Sequence, residues 1–381
     1  MSAIVIIGTG LAGYTAAREF RKLDPSAPLH LISRDDGSFY SKPILSNALA
    51  LNKTPAQIAL NTAADMERQL AATVSPHSTV TAIDTVAHQV HVDGKAIPYT
   101  KLVLAVGADP IRLPLAGDAA AHVLSVNDLA DYARFRAALE GKRRVVILGA
   151  GLIGCEFSND LRSAGIEVDV IDPATQPLGR LLPPRAAQFL RAALETAGVR
   201  FRLGTTLETV THTAQGISAT LADGMTLETD LVLSAIGLRP RIDLARNTGL
   251  TVSRGIVTNA LLLTSATDVY ALGDCAEVAG FNLPFVMPIM QAARALAKTL
   301  HGTPTPVNYP AMPVVVKTPA CPTVVCPPPP GVEGEWEEAV TADGVRALYQ
   351  DRAGTLRGFA LVGAATKDKQ ALTKDIPPLL S

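Results

Sequence analysis

Two glycine clusters are the residues whose types and spacing point most directly to chemistry. Gly8, Gly10 and Gly13 form the first, and Gly149, Gly151 and Gly154 repeat its spacing far downstream. Between a strand and a helix, the first glycine permits a tight turn and the second lets the backbone approach a pyrophosphate. The third lets the helix sit close to the strand. The helix start then offers free N–H groups to phosphate oxygens. One such cluster is a weak signal, but this one occurs twice in the same order.

Residues at the end of the strand that follows each cluster would read the adenosine ribose. After the second cluster that position is Asp172. A carboxylate there accepts from a ribose hydroxyl and repels a 2′-phosphate, which favours NADH over NADPH. Arg180, the nearest downstream basic residue, is too remote to serve a 2′-phosphate. After the first cluster the corresponding residue is Ser33, followed by Arg34, Asp35 and Asp36, so ribose recognition falls to Ser33, Arg34 or Asp35.

These loops need strands and helices to hold them. Each cluster follows a β-branched run, IVII or VVIL, and precedes an amphipathic stretch, YTAAREFRKL or CEFSNDLRSAG; a second strand, LHLIS or EVDVID, comes next. That is the order of a βαβ unit, which implies a parallel sheet covered by helices on both faces. The segment KLVLAVGADP at 101–110 also returns as DLVLSAIGLRP at 230–240. The fold expected is α/β, with two nested Rossmann-like dinucleotide-binding domains. Proline is dense between 306 and 330, and the alternating segments WEEAVT, VRALYQ and LRGFALVG follow it. They predict a small antiparallel sheet, a C-terminal α+β domain, with the four-proline run readable instead as a rigid linker.

A chain of 381 residues is too long for one ordinary core and fits two or three domains. A formal net charge of −1, with no polybasic run, lacks the footprint of a nucleic-acid binder. The N-terminus has no basic leader and no apolar stretch runs unbroken for a bilayer span, so a cytoplasmic protein that does not span the membrane is expected. The four cysteines, Cys155, Cys275, Cys321 and Cys326, match neither a disulfide framework nor a zinc site. No metal is expected.

The segment TSATDVYALGDCAEV at 264–278 carries a buried strand into Gly273 and Asp274, after both glycine clusters. It resembles the flavin-ribityl motif of the glutathione-reductase-like flavoproteins, in which the motif's Asp hydrogen-bonds the ribityl chain of FAD. The resemblance implies FAD held by 1–112 and 242–307, NADH held by 113–241, and a C-terminal domain, 308–381, closing over the flavin.

Within that superfamily FYSKPILSNALA at 39–50 and VVVKTPACP at 314–322 resemble the rubredoxin reductases. By this resemblance Lys42 and Lys317 reach the isoalloxazine ring, while Thr9, Gly10, Leu11 and Ala12 take the FAD pyrophosphate. Val80 meets the adenine end and Val286 lines the ring. Glu156 resembles the acidic residue beside Lys42 near the flavin. Gly107 is expected at the FAD and Gly237 at the NADH. An ammonium fixed beside the anionic edge of a reduced flavin would stabilise it, which is the chemical reason to single out the lysines.

Disulfide reductases of the superfamily carry a C-x4-C pair near the flavin, shortly after the ribose-binding strand, yet no cysteine lies between Met1 and Arg144. Cys321 and Cys326 have that spacing but lie among prolines and read as strand or turn residues. What the resemblance then implies is hydride transfer from NADH to FAD and single-electron delivery to rubredoxin, in the setting of alkane hydroxylation. Hydride transfer between stacked rings requires positioning more than acid–base groups, so no general base is assigned and none of the seven histidines is promoted. Two alternatives remain at this point: a ferredoxin reductase of an oxygenase system, and an apoptosis-inducing-factor-like flavoprotein with an NADH-gated binding role.

Overall fold

Residues 3–380 are described by a computed structural model. The apolar run Ala3–Ile7 is the centre of a parallel sheet, flanked by Leu29–Ile32 on one side and Lys95–Leu104 on the other. Thr73–Ser75 extends the first side, and Val269–Ala271, from late in the chain, adds in parallel to Lys95–Leu104. A hairpin, Val80–Asp84 and Gln89–Val92, pairs antiparallel with the start of the same long strand. The central strands are buried on both faces, which explains their unbroken Val, Ile and Leu content.

The second fold repeats this plan. Arg144–Leu148 lies between Glu167–Asp172 and Leu231–Ser234, with Val199–Leu203 and Leu124–Ser125 at the edges, all parallel. A three-stranded antiparallel sheet, Leu207–Thr213, Gly216–Leu221 and Thr226–Thr229, sits beside it. The two long-range repeats seen in the sequence are thus the central strand of each copy and the parallel strand paired beside it. Where the chain passes between the copies, Ala108–Pro110 and Leu238–Pro240 pair as a two-stranded antiparallel ribbon.

Apolar residues 4–105 and 245–309 share one core, as a fold interrupted by an insertion would require. The segment after Lys42 is an exception to this sequence-based division. Leu45, Ala48 and Ile58 pack instead with Tyr132, Phe135 and Phe157 of the second fold. Helix Leu11–Arg21 packs on helix Val286–Leu300, whose alanines at 292, 293 and 297 are buried and allow close approach.

The C-terminal strands run antiparallel in the order Val314–Val316, Thr323–Cys326, Leu356–Gly363, Gly344–Asp351, Gly334–Val340. The four prolines, Pro327 to Pro330, connect two strands of this sheet and are not an interdomain linker. The sheet packs on helix Pro184–Thr196, burying Leu190 and Leu194 with Val345, Ala347 and Ala360. Glu338 accepts from Ala186 N at 2.9 Å and so caps the start of that helix, which has no cap of its own. The C-terminal sheet is therefore seated mainly on the second fold. It meets the lysine-bearing segment of the first through Lys317.

Candidate nucleotide and electron-transfer site

The first glycine loop has the geometry its spacing predicts. Gly8 has φ +110°, and a Cβ there would meet Ala105 O at 2.2 Å; a Cβ on Gly13 would meet Gly8 O at 1.9 Å. A Cβ on Gly10 would meet nothing within 4 Å, so the space above it is open. Gly10 caps helix Leu11–Arg21 in an extended conformation, with no side-chain cap and no acidic residue in the first turn. The helix N–H groups are left for an external anion.

At the end of the next strand three side chains close on one another. Thr9 Oγ1 donates to Ser33 Oγ at 2.6 Å and lies 3.2 Å from Asp35 Oδ1; Ser33 Oγ also donates to Asp35. Gly37 N donates to the same Asp35 oxygen at 3.0 Å. Of the residues named for the ribose, Asp35 is the carboxylate held in place. Arg34 points to Asp109, 3.4 Å away, which also takes Arg241 Nε at 2.8 Å.

The second loop repeats the first. Gly149 has φ +100°, a Cβ on Gly154 would meet Gly149 O at 1.8 Å, and a Cβ on Gly151 would meet nothing. Helix Leu152–Ser163 likewise begins without a side-chain cap. Its strand-end residue is different: Asp172 accepts from Ala150 N at 2.6 Å and from Ala174 N at 2.7 Å. The carboxylate is thereby oriented beside the loop.

Each loop thus presents an uncapped helix start, an open cradle over its middle glycine and a strand-end carboxylate. That donor set fits the pyrophosphate and ribose of an adenine dinucleotide at both positions. A Cβ on Gly273, φ +82°, would lie 2.7 Å from Ala12 Cβ, so the Gly273–Asp274 turn packs directly on helix Leu11–Arg21.

Asp274 and the two lysines form the polar centre of the site. Lys42 Nζ donates to Asn127 Oδ1 at 2.8 Å and stands 3.5 Å from Asp274 Oδ2. Asn127 is itself held through Nδ2 to Ala108 O at 2.9 Å, on the interdomain ribbon. Lys317 Nζ pairs with Glu156, and its backbone N donates to Glu156 Oε1 at 2.9 Å. Ser46 Oγ donates to Glu156 Oε2 at 2.5 Å and accepts from Lys317 Nζ at 3.1 Å. Glu156 is fully buried, and three donors, Ser46 Oγ, Lys317 N and Lys317 Nζ, satisfy its carboxylate oxygens. This corrects the expected pairing, since Glu156 is bound to Lys317 while Lys42 turns to Asp274. The separation along the chain left the choice of lysine undetermined until both segments were placed.

Val80 is half-buried against the first core and Val286 is exposed at the start of its helix. Gly107 and Gly237, both with positive φ, flank the ribbon between the folds. All four cysteines are free and buried. Burial pushes the thiols of Cys275 and Cys326 up to about 11, and those of Cys155 and Cys321 upward as well. Cys326 ends a strand and Cys321 precedes it in a bend, as expected. Among the described residues no three His, Cys, Asp or Glu side chains group as metal ligands, and no helix is long and apolar enough to cross a membrane.

Ser46, Asn127, Asn159 and Asp160 were not singled out in the sequence. One signal was available: Glu156, Asn159 and Asp160 follow the i, i+3, i+4 spacing of one helix face, and a buried polar stripe on a core helix needs partners.

Residues 2–299 match the family model described as pyridine nucleotide-disulphide oxidoreductase, and residues 306–376 match the rubredoxin binding C-terminal domain. The chain is 52% identical to rubredoxin-NAD(+) reductase of Acinetobacter baylyi, with 100% of this chain and 99% of that protein covered. It is 49% identical to rubredoxin-NAD(+) reductase of Alcanivorax borkumensis, with both chains covered in full. Among solved structures, the covalent putidaredoxin reductase–putidaredoxin complex is similar with a TM-score of 0.89 at 28% identity, covering 99% of this chain and 94% of that one.

Proposed function

The chain belongs to the rubredoxin-NAD(+) reductases of the pyridine nucleotide-disulphide oxidoreductase family, and on that premise we propose that it is an FAD-dependent NADH:rubredoxin oxidoreductase. The observation that carries this reading is the C-terminal sheet, matched as rubredoxin binding, which delivers Lys317 to buried Glu156 on the second phosphate helix. The acceptor-binding domain and the nucleotide folds thus meet at one charged cluster.

FAD, when bound, supplies the conversion of a two-electron donor into one-electron steps. The balance is NADH plus two oxidised rubredoxins giving NAD+, one proton and two reduced rubredoxins. In this reading Gly8, Gly10, Gly13 and the backbone of Thr9, Leu11 and Ala12 hold the FAD pyrophosphate, with Ser33, Arg34, Asp35 and Val80 toward its adenosine. Gly149, Gly151, Gly154 and Asp172 hold NADH. Asp274 and Gly273 meet the ribityl chain, and Gly107, Val286 and Gly237 border the rings. Lys42 and Lys317 are held beside the flavin by Asn127, Asp274, Ser46 and Glu156 and stabilise negative charge there. Residues 1–112 with 242–307, 113–241 and 308–381 serve as the FAD, NADH and acceptor-side domains.

The absence of any cysteine before Cys155, and the burial of all four, support direct delivery to the acceptor without a thiol relay. We place the protein in the cytosol, serving alkane hydroxylation. The test is steady-state turnover with NADH and three acceptors: rubredoxin, a ferredoxin and cytochrome c. Rubredoxin is expected to give the highest kcat/KM. Faster ferredoxin reduction would assign the chain to an oxygenase system instead.

A further inference from the structure

Helix Leu152–Ser163 carries three buried polar residues on one face, and all of them reach outside their own helix. Glu156 holds Ser46 and Lys317, as described above. Asn159 Oδ1 accepts from Ala320 N at 3.1 Å. Asp160 accepts from Leu49 N at 3.1 Å and from Ala50 N at 2.8 Å. Asn159 is 7% exposed and Asp160 1%, so each acceptor was taken out of water at a cost that its backbone partners offset only in part, and burial pushes the Asp160 carboxyl above its ordinary value.

These partners are not scattered. Leu49 and Ala50 follow the turn Lys42–Ser46, and Ala320 follows Lys317 by three residues. The two segments come from distant parts of the chain, yet both hang on consecutive turns of one rigid element. That element begins at Gly151, over the cradle that fits the second dinucleotide.

We propose that Asn159 and Asp160 are positioning residues for flavin reduction, fixing the Lys317 and Lys42 segments to the helix whose start receives NADH. The proposal rests on the NADH and FAD reading given above. Neither residue touches the reacting atoms. They act by holding the segments from which the lysine side chains extend, so that nucleotide and ammonium groups share one frame. A loss of about 0.5 to 1 Å of precision in such a frame is what a loosely supported site suffers.

The test uses the full-length protein loaded with FAD. In Asn159→Ala the limiting rate of flavin bleaching at saturating NADH should fall about tenfold, the size of one lost hydrogen bond carried into a barrier. The flavin midpoint potential should move to more negative values, with the Kd for FAD changed less than about twofold. Asn159→Asp keeps the acceptor oxygen and should restore both. Asp160→Asn, milder than alanine, should act in the same direction and serves if Asn159→Ala does not fold. Variants that bind FAD with wild-type potential and rate would overturn the proposal, as would a rate lost only in proportion to bound FAD or a defect that Asn159→Asp leaves in place. Wild-type protein that binds FAD but is not bleached by NADH would sink the functional reading itself, and this is seen before any variant is made.

Discussion

The two glycine loops share a backbone and differ in what stands at the end of the next strand. Both use a positive-φ glycine, an open middle glycine and a third glycine on which a Cβ would fall under 2 Å from the carbonyl oxygen of the first. At the first loop the strand end is a cluster of Thr9, Ser33 and Asp35; at the second, Asp172 alone holds two backbone N–H groups. Phosphate is recognised by backbone geometry, so the glycine spacing survives duplication. A ribose would be read by side chains, and it is the side chains at the two strand ends that differ.

The largest expected effects come from breaking each loop in turn. Gly13→Ala and Gly154→Ala place the same methyl against the same carbonyl, at 1.9 and 1.8 Å. Overpacking of this kind costs about 1 to 3 kcal/mol where the chain can shift. Gly13→Ala should yield protein with little or no bound flavin, seen as a lost absorbance near the flavin bands on purification. Gly154→Ala should stay yellow while its Kd for NADH rises by about ten- to a hundredfold. Flavin loss in both variants would show that the loops are not independent.

Next in size is the contrast between the two lysines. Removing Lys317 leaves fully buried Glu156 with its charge uncompensated, an effect of about 3 to 5 kcal/mol in comparable buried pairs. Lys317→Met should therefore lower the thermal midpoint sharply, and Lys317→Met with Glu156→Gln should recover much of it. Lys42 is more exposed and its partner Asp274 stands 3.5 Å off, so Lys42→Met should cost little stability while slowing flavin reduction. Equal melting losses for the two would contradict this assignment.

A smaller effect separates the strand ends. Asp172→Ala removes the carboxylate that would repel a 2′-phosphate and accept from the ribose. The NADH-over-NADPH ratio of kcat/KM should fall by about tenfold, the value of one hydrogen bond to a charged group. Asp35→Ala should leave that ratio unchanged and weaken FAD retention.

The smallest is a pH effect confined to the second fold. Burial works to raise the Asp230 pKa, but the Arg144 guanidinium and the N–H groups of Arg143 and Arg144 outweigh it and hold the carboxyl below its ordinary value of 3.8. A folded pKa below the unfolded one gives stability that is present above 3.8 and lost as pH falls through the folded value. Asp230→Asn should flatten that acid limb in a stability–pH curve and leave the curve above pH 5 parallel to wild type.

Much of this plan was legible in the sequence because it is local. Glycine spacing, β-branched runs and the three alternating C-terminal segments each report on a few neighbouring residues, and the strands fall where those patterns lie. The pairing of Glu156 with Lys317 was not legible, since a helix residue has no local signal for which of two distant lysines it will meet. The seating of the C-terminal sheet on Pro184–Thr196 joins Leu190 and Leu194 to Val345, Ala347 and Ala360, and Ala186 to Glu338, contacts between segments far apart in the chain. The shift of Leu45, Ala48 and Ile58 into the second core is likewise a property of the assembled folds.

A two-nucleotide flavoprotein whose four cysteines are all buried should pass electrons onward without a thiol. Stopped-flow mixing of the purified protein with NADH, followed by oxidised rubredoxin, tests it most directly. The flavin bands should bleach with no long-wavelength thiolate–flavin band, and two equivalents of rubredoxin should reoxidise the protein at a rate unchanged by treatment with a thiol-alkylating reagent. Reoxidation abolished by alkylation, or protein that takes up no FAD, would contradict it.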